Sequence, residues 1–324
     1  MKEFKTMKKI TYSPSYTIVI TYECFNYCTY CNFRINPQLG DWLKLTKAKK
    51  TLEEISNKSI SEILILSGEI HPRSPERKLW LQNIYYLCEI ALSMNFLPHI
   101  NVGLLTYTEM KILQKVSISM GLMIEQSTPI LLDNAHYNAP SKIPNLRLQH
   151  LEFAGKLQIP FTTGVLLNIG EKEKNSLDTL RKINLVEQQW NNIQEVILQP
   201  HSPEVEKKLH KSIFNQYQLV KFINKAKNIL PASIKLQLPP NLIQDPNYLL
   251  RCVQAGIQDL GGISPKDEIN PNYSHFSKEK LSKILKTKKL TLTTRLPIYS
   301  NYKNRLSENL QKLVNFWQRN KKST

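Results

Sequence analysis

Apolar, β-branched runs recur along this chain at nearly even spacing, each followed by a stretch with helical periodicity. That alternation limits the available folds more than any other feature. The extended runs are 17–24, 62–69, 97–103, 121–128, 160–168, 195–200, 233–240 and 259–264. Between them the 3.6-residue pattern marks helices at 46–58, 80–94, 108–117, 146–157, 176–190, 213–230 and 246–255. Strands that alternate with helices form parallel β/α units, and right-handed crossovers close eight such units into a barrel. The spacing therefore predicts an α/β protein with a TIM-type (βα)8 barrel. A six-unit partial barrel with a C-terminal extension is the alternative, because the last two strands carry the weakest patterns. A further extended segment, 287–298, lies outside the repeat. No linker divides the 324 residues, so the expectation is one domain over 1–324, with a core of about 12–265 and an extension of about 266–324.

Hydrophobic residues make up 41% of the chain, enough for a large core and too many for disorder. No apolar run approaches the roughly 20 residues that span a bilayer, and no secretory h-region follows the charged N-terminus. A cytoplasmic enzyme is the expectation, with no membrane partner. The net charge of +18 comes from dispersed lysines rather than a basic stripe interleaved with aromatics. Solvated basic faces explain it better than nucleic-acid binding.

Chemistry in a parallel barrel sits at the C-terminal ends of the strands. The distinctive residues of this sequence fall there. They are Cys24 onward, Ser67-Gly68-Glu69, Glu125, Asn168, Gln199, Pro239-Pro240 and Gly261-Gly262. Three of the five cysteines lie within eight residues, as Cys24-x3-Cys28-x2-Cys31. An odd count in a long chain makes a poor disulfide framework and points to ligands in a reducing compartment. Three thiolates on one short loop can hold three corners of a 4Fe–4S cluster and leave one iron open. A zinc site or redox thiols are the other readings, although zinc favours different spacings. Cys88 and Cys252 sit in apolar helical patterns and read as small core side chains.

With Tyr30 just before the last cysteine, the motif resembles that of the radical S-adenosylmethionine (SAM) superfamily. The resemblance implies that Cys24, Cys28 and Cys31 hold a 4Fe–4S cluster whose open iron binds SAM, and that a deoxyadenosyl radical follows. It further implies that Ser67-Gly68-Glu69 holds the SAM amino group, Glu125 the ribose hydroxyls and Arg147 the SAM carboxylate. The run Gly164-Val-Leu-Leu-Asn168-Ile-Gly170-Glu171 resembles the element beside the adenine, with Asn168 where a glycine is usual.

Longer stretches narrow the resemblance. They are Ser119-Met-Gly-Leu-Met123, Pro160-Phe-Thr-Thr-Gly164, Pro239-Pro-Asn-Leu242 and Gly261-Gly-Ile-Ser-Pro265. Together they are similar to the first subunit of the enzyme pair that makes the 8-hydroxy-5-deazaflavin chromophore, over about residues 12–302. The sequence departs from that pattern after Gln199, at Pro200-His-Ser-Pro203. The resemblance implies a small-molecule substrate, a hydroxybenzyl adduct of ribitylamino-uracil, which closes its central ring with loss of ammonia. The second subunit, itself a radical SAM protein, would supply that adduct. An electron donor such as ferredoxin or flavodoxin would reduce the cluster. Polar residues at strand ends, His99, Asn101, Thr162, Thr163, Gln199, Gln237 and Asn241, are the candidates to hold the substrate. Two rivals stand beside this reading. One is a radical SAM enzyme of the menaquinone or biotin type. The other is a basic iron–sulfur protein that binds RNA, which should show a fourth nearby cysteine or an added RNA-binding module.

Overall fold

The computed structural model describes residues 8–320, apart from 57, 202–215, 244, 265–267 and 269–275. The described chain runs β1 (Lys9–Val19), α1 (Leu45–Ile55), β2 (Glu62–Leu66), α2 (Arg77–Ser93), β3 (Leu97–Asn101), α3 (Tyr107–Leu113) and β4 (Ser119–Gly121). It continues through α4 (Pro144–Lys156), β5 (Phe161–Leu167), α5 (Glu173–Trp190), β6 (Ile193–Pro200), α6 (Gln216–Ile229) and β7 (Lys235–Gln237). The last elements are α7 (Pro246–Ala255), β8 (Asp259–Ile263), α8 (Lys278–Lys286), β9 (Thr291–Thr294) and α9 (Glu308–Asn320).

Strands β1 to β8 pair in parallel in sequence order, and β8 pairs back onto β1. The ring is closed, which sets the six-unit alternative aside. All seven residues of β5 are buried, as expected of a strand covered on both faces. The inner layer of apolar side chains and the helix-facing layer merge into one core, with Trp80, Phe161 and Phe222 among its largest members.

Helix boundaries follow local chemistry. Asp245 caps α7 through the Asn247 N–H, Pro246 takes the first helical position, and Gly256 ends the helix, which holds it to the 246–255 expected from the periodicity. Helix α3 starts in a capping box between Thr106 and Glu109. Helix α6 begins at Gln216, so the expected start at 213 lies outside the described residues.

Strand β7 is shorter than the expected 233–240, and two strands are displaced from where they were expected. The first was expected at 17–24 and instead covers Lys9–Val19. Its lower part, Lys9–Tyr12, pairs with β9, while Ser15–Val19 pairs with β2. Partners far along the chain extend it across Pro14, where a local pattern stops. The fourth was expected at 121–128 but is only Ser119–Gly121. Glu125, beyond it, takes a left-handed conformation with φ of 62° and rejoins the sheet through one bridge to Val165.

The extended segment at 287–298 contributes β9, which adds to the lower half of β1. The chain then crosses the N-terminal end of the barrel. Leu296, Ile298, Tyr302, Leu310 and Val314 pack against Leu97 and Ile118 there and seal the floor. No helix among the described residues is long and apolar enough to cross a membrane.

Candidate active site

The three clustered cysteines lie in the loop that follows β1. Glu23 braces that loop, its carboxylate accepting the Gly40 N–H at 2.9 Å and the Trp42 indole N–H at 3.0 Å. Gly68 packs so closely beneath it that a Cβ would lie 2.0 Å from the Glu23 carbonyl oxygen. The Phe25 N–H donates to the Glu69 carbonyl at 3.1 Å, which ties the loop to the end of β2. On its other side the Tyr27 and Thr29 N–H groups donate to Asn138 and Ala135, in the segment after β4. Asn26 reaches both ways, accepting the Ser141 N–H at 3.0 Å and donating toward Cys24 Sγ at 3.6 Å. Cys28 is buried, and Cys24 and Cys31 are half-buried. Burial pushes the Cys28 thiol up to about 11, against the opposing pull of Lys142. Burial, aided by the Glu69 charge, raises Cys24 as well. Among the described residues no three His, Cys, Asp or Glu side chains converge on one point that a single metal ion would fill. Cys88 and Cys252 are wholly buried in α2 and α7, well away in the fold from this loop.

Beside the cysteine loop four charged side chains meet. Arg147 of α4 is 2% exposed, with Nε donating to the Met123 carbonyl at 2.8 Å and Nη1 to that of Ser141 at 3.2 Å. Its guanidinium stands 3.6 Å from Glu69 and 3.9 Å from Glu125. Lys142 donates to Glu125 at 2.8 Å. Burial works to raise the Glu125 carboxyl, but Lys142 and then Arg147 outweigh it and hold it below its ordinary range. Tyr30 completes the wall, its hydroxyl 3.2 Å from His136 Nε2. Burial pushes that imidazole down to about 4, so it is neutral.

The structure thus brings Tyr30, Glu69, Glu125 and Arg147 together around the cysteine loop. Ser67 turns to the helix layer, where its hydroxyl accepts the Trp80 indole N–H at 2.8 Å. Gly164 is demanded by packing, since a Cβ there would lie 2.4 Å from the Ile197 carbonyl oxygen and 2.8 Å from the Met123 sulfur. Asn168, where a glycine was expected, adopts φ of 69°, a left-handed conformation that asparagine tolerates well.

A cavity of about 270 Å³ occupies the barrel interior. His99, Asn101, Thr162, Gln199, Gln237 and Asn241 line it. Thr163 does not. Alternation along β5 turns it outward, where its hydroxyl donates to the Leu122 carbonyl at 2.8 Å.

Sequence reasoning missed Lys142, Glu195 and Arg295. Glu195 could have been found, because 195, 197 and 199 share the inward face of β6 and 199 was already singled out. Lys142 lies in a turn without periodicity. Arg295 reaches the cavity floor from beyond the barrel, contacting Asp259 Oδ2 at 2.6 Å and Glu195 Oε1 at 2.7 Å.

No family model matches the sequence. Among curated proteins, a 7,8-didemethyl-8-hydroxy-5-deazariboflavin synthase of Trichormus variabilis is 53% identical over 307 residues, covering 95% of this chain and 90% of that one. The synthase of that name from Trichodesmium erythraeum is 54% identical over 308 residues, covering 95% and 97%. The chain belongs to the deazariboflavin synthase family. It is therefore an enzyme of deazaflavin biosynthesis. Solved structures agree on the fold. The FeFe-hydrogenase maturase HydG of Carboxydothermus hydrogenoformans superposes with a TM-score of 0.72 at 17% identity, over 95% of this chain and 77% of that one. Methylornithine synthase superposes with a TM-score of 0.68 at 12% identity, over 92% and 86%. The chain therefore shares the closed (βα)8 barrel fold of these two proteins.

Proposed function

We propose that this synthase performs the cyclising half of deazaflavin formation. It takes a hydroxybenzyl adduct of ribitylamino-uracil and closes the central ring with loss of ammonia; the two-electron oxidation to the aromatic 8-hydroxy-5-deazaflavin would use SAM as oxidant, which leaves as methionine and 5′-deoxyadenosine. The observation that carries the reading is the juxtaposition, at the strand ends of the barrel, of the three-thiol loop and the Glu69–Arg147–Glu125–Lys142 group.

The donor set fits a 4Fe–4S cluster. Cys24, Cys28 and Cys31 come from one loop, and three soft thiol donors suit iron and leave one corner of the cluster to another ligand. Cys24, Cys28 and Cys31 would hold the cluster, with Tyr30 in the same loop; Gly68 would let that loop close onto the strand end that carries Glu69, Ser67 would act only through its backbone, and the Gly164 strand would lie beside the adenine. The Glu69 carboxylate would take the SAM amino group, Arg147 the SAM carboxylate and Glu125 the ribose hydroxyls. When bound, cluster and SAM supply the hydrogen-atom abstraction that starts the reaction.

The chain's own residues position and shield. Two carboxylates and two cations balance charge where an amino acid's amine and carboxylate would lie. The barrel wall keeps water from the reacting carbon, and the cavity's amides and hydroxyls orient the substrate. The adduct would come from the second subunit, and the electron from a ferredoxin or flavodoxin. To test this, the purified protein is incubated anaerobically with SAM, a reductant, free tyrosine and the ribitylamino-uracil. It should give no deazaflavin. Adding the coupled adduct, or the second subunit, should give fluorescent product, ammonia and 5′-deoxyadenosine. Deazaflavin formed from free tyrosine by this protein alone would overturn the division of labour.

A further inference from the structure

One stretch of the barrel wall has hydrogen-bonding capacity that the reading above leaves unassigned. Around the ring, His99 of β3 stands in register with Ser119 of β4, Gly121 of β4 with Thr162 of β5, and Thr162 with Glu195 of β6. His99, Thr162 and Glu195 all face the cavity. A Cβ on Gly121 would lie 3.0 Å from His99 Nε2 and 3.2 Å from the Thr162 carbonyl oxygen, so the glycine keeps open the space beside the ring.

The neighbours of His99 fix its tautomer. The Ser119 hydroxyl donates its one proton to the Pro297 carbonyl at 2.7 Å. His99 Nδ1 lies 2.7 Å from the same hydroxyl oxygen, so Nδ1 must be the donor in that contact. Burial, and then the Arg295 charge, push the imidazole down to about 3, so it stays neutral. A neutral ring protonated on Nδ1 offers a lone pair on Nε2. Among the described residues the hydrogen bond of His99 is the one on Nδ1, and the ring opens on the cavity. The Thr162 hydroxyl is already committed, donating to Glu195 Oε2 at 3.2 Å. Glu195 Oε1 takes Arg295 at 2.7 Å and the Tyr299 hydroxyl at 2.8 Å.

We propose that the polyol arm of the substrate descends into the barrel and donates a hydroxyl to His99 Nε2, which makes His99 the residue that sets which way round the substrate lies. The inference rests on the cyclisation reading and names the part of the adduct that goes deepest. A hydroxyl both donates and accepts, so a polyol satisfies His99 and still adapts to Glu195. The uracil imide has one N–H rigidly flanked by two carbonyls, which on His99 would be held toward the Glu195 oxygens, themselves already accepting from Arg295, Tyr299 and Thr162. The hydroxybenzyl ring suits the apolar end of the cavity, where Leu66, Leu122, Met123, Pro239, Pro240 and Leu242 lie.

Two measurements test this. Nitrogen-15 spectra of the histidine-labelled protein, without cofactors, should show His99 protonated on Nδ1 and bare on Nε2; a proton on Nε2 would overturn the proposal. Turnover is then compared for the ribityl adduct and an adduct with a hydroxyethyl arm. The wild type should favour the ribityl form by roughly ten-fold or more in kcat/KM, the worth of a buried hydrogen bond that must otherwise go unmade. His99→Phe should lose most of that preference, and His99→Gln, which keeps an acceptor, should retain part. Ser119→Ala preserves the ring's volume and frees its tautomer, so a weakened preference is expected there as well. An undiminished preference in His99→Phe and Ser119→Ala would overturn this proposal alone. Failure of the wild type on both adducts would overturn the cyclisation reading and this one with it.

Discussion

Replacing Arg295 by Met should expose how the C-terminal segment is fastened to the barrel. Arg295 is 9% exposed and makes three close contacts with two buried carboxylates, from Nε and Nη2 to Asp259 and from Nη2 to Glu195. Removing one partner of a buried ion pair costs about 3–5 kcal/mol, because the other charge is left uncompensated. The lower end applies here. Asp259 keeps the Thr11 hydroxyl and the Gly261 N–H, while Glu195 keeps the Tyr299 and Thr162 hydroxyls. At roughly 2 °C per kcal/mol for a chain of this size, thermal unfolding should come about 6 °C earlier.

The pH dependence has a definite sign. Burial raises the Glu195 carboxyl in the folded protein, while Arg295 pulls it down and Asp259 pushes it up again. A raised folded pKa contributes stability below the ordinary carboxylate range, and that stability is lost as pH climbs toward the folded value. Removing Arg295 lifts the folded value further, so the loss continues to higher pH. The deficit relative to wild type should therefore be larger at pH 9 than at pH 6, measured by circular dichroism melts. Arg295→Met/Glu195→Gln, which has no charge at 195 to strand, should recover part of the deficit at pH 9 and flatten its pH dependence. A fall below about 2 °C at pH 9, or a deficit that does not change with pH, would refute the reasoning.

Other outcomes follow from the site. Cys24→Ala, Cys28→Ala and Cys31→Ala should each lose most bound iron after anaerobic reconstitution, while Cys88→Ala and Cys252→Ala keep it; normal iron in Cys28→Ala would sink the assignment. Glu125→Gln should weaken SAM binding by roughly 1–2 kcal/mol, since the charge-assisted part of its hydrogen bonds is lost, and unchanged affinity by calorimetry would count against its role. Gly103 has φ of 89°, and a Cβ there would lie 2.1 Å from Glu69 Cγ. Gly103→Ala should therefore displace Glu69 and weaken SAM binding, besides costing on the order of 1 kcal/mol in backbone strain; an unaltered SAM affinity would show that Glu69 does not hold the ligand.

What the sequence determined by itself is what local chemistry encodes. The alternation of two- and 3.6-residue periods shows in the backbone order of β1 to β8 and the helices between them, and the 3.6-residue pattern at 246–255 matches its helix to the residue. The Cys24–Cys31 spacing and the Ser67-Gly68-Glu69 turn are likewise local, because a loop and the strand end beneath it are set by neighbours in the chain. Tertiary structure decided the rest. The true extent of β1 depends on β9, some 280 residues away, and no periodicity within either segment records that pairing. Lys142 and Arg295 read in the sequence as two of 44 basic residues, and only the fold shows that each is buried against carboxylates. Thr162 and Thr163 are adjacent and chemically alike, yet one faces the cavity and the other the helices. The pleat assigns them to opposite faces, and only closure of the ring decides which face is the inside.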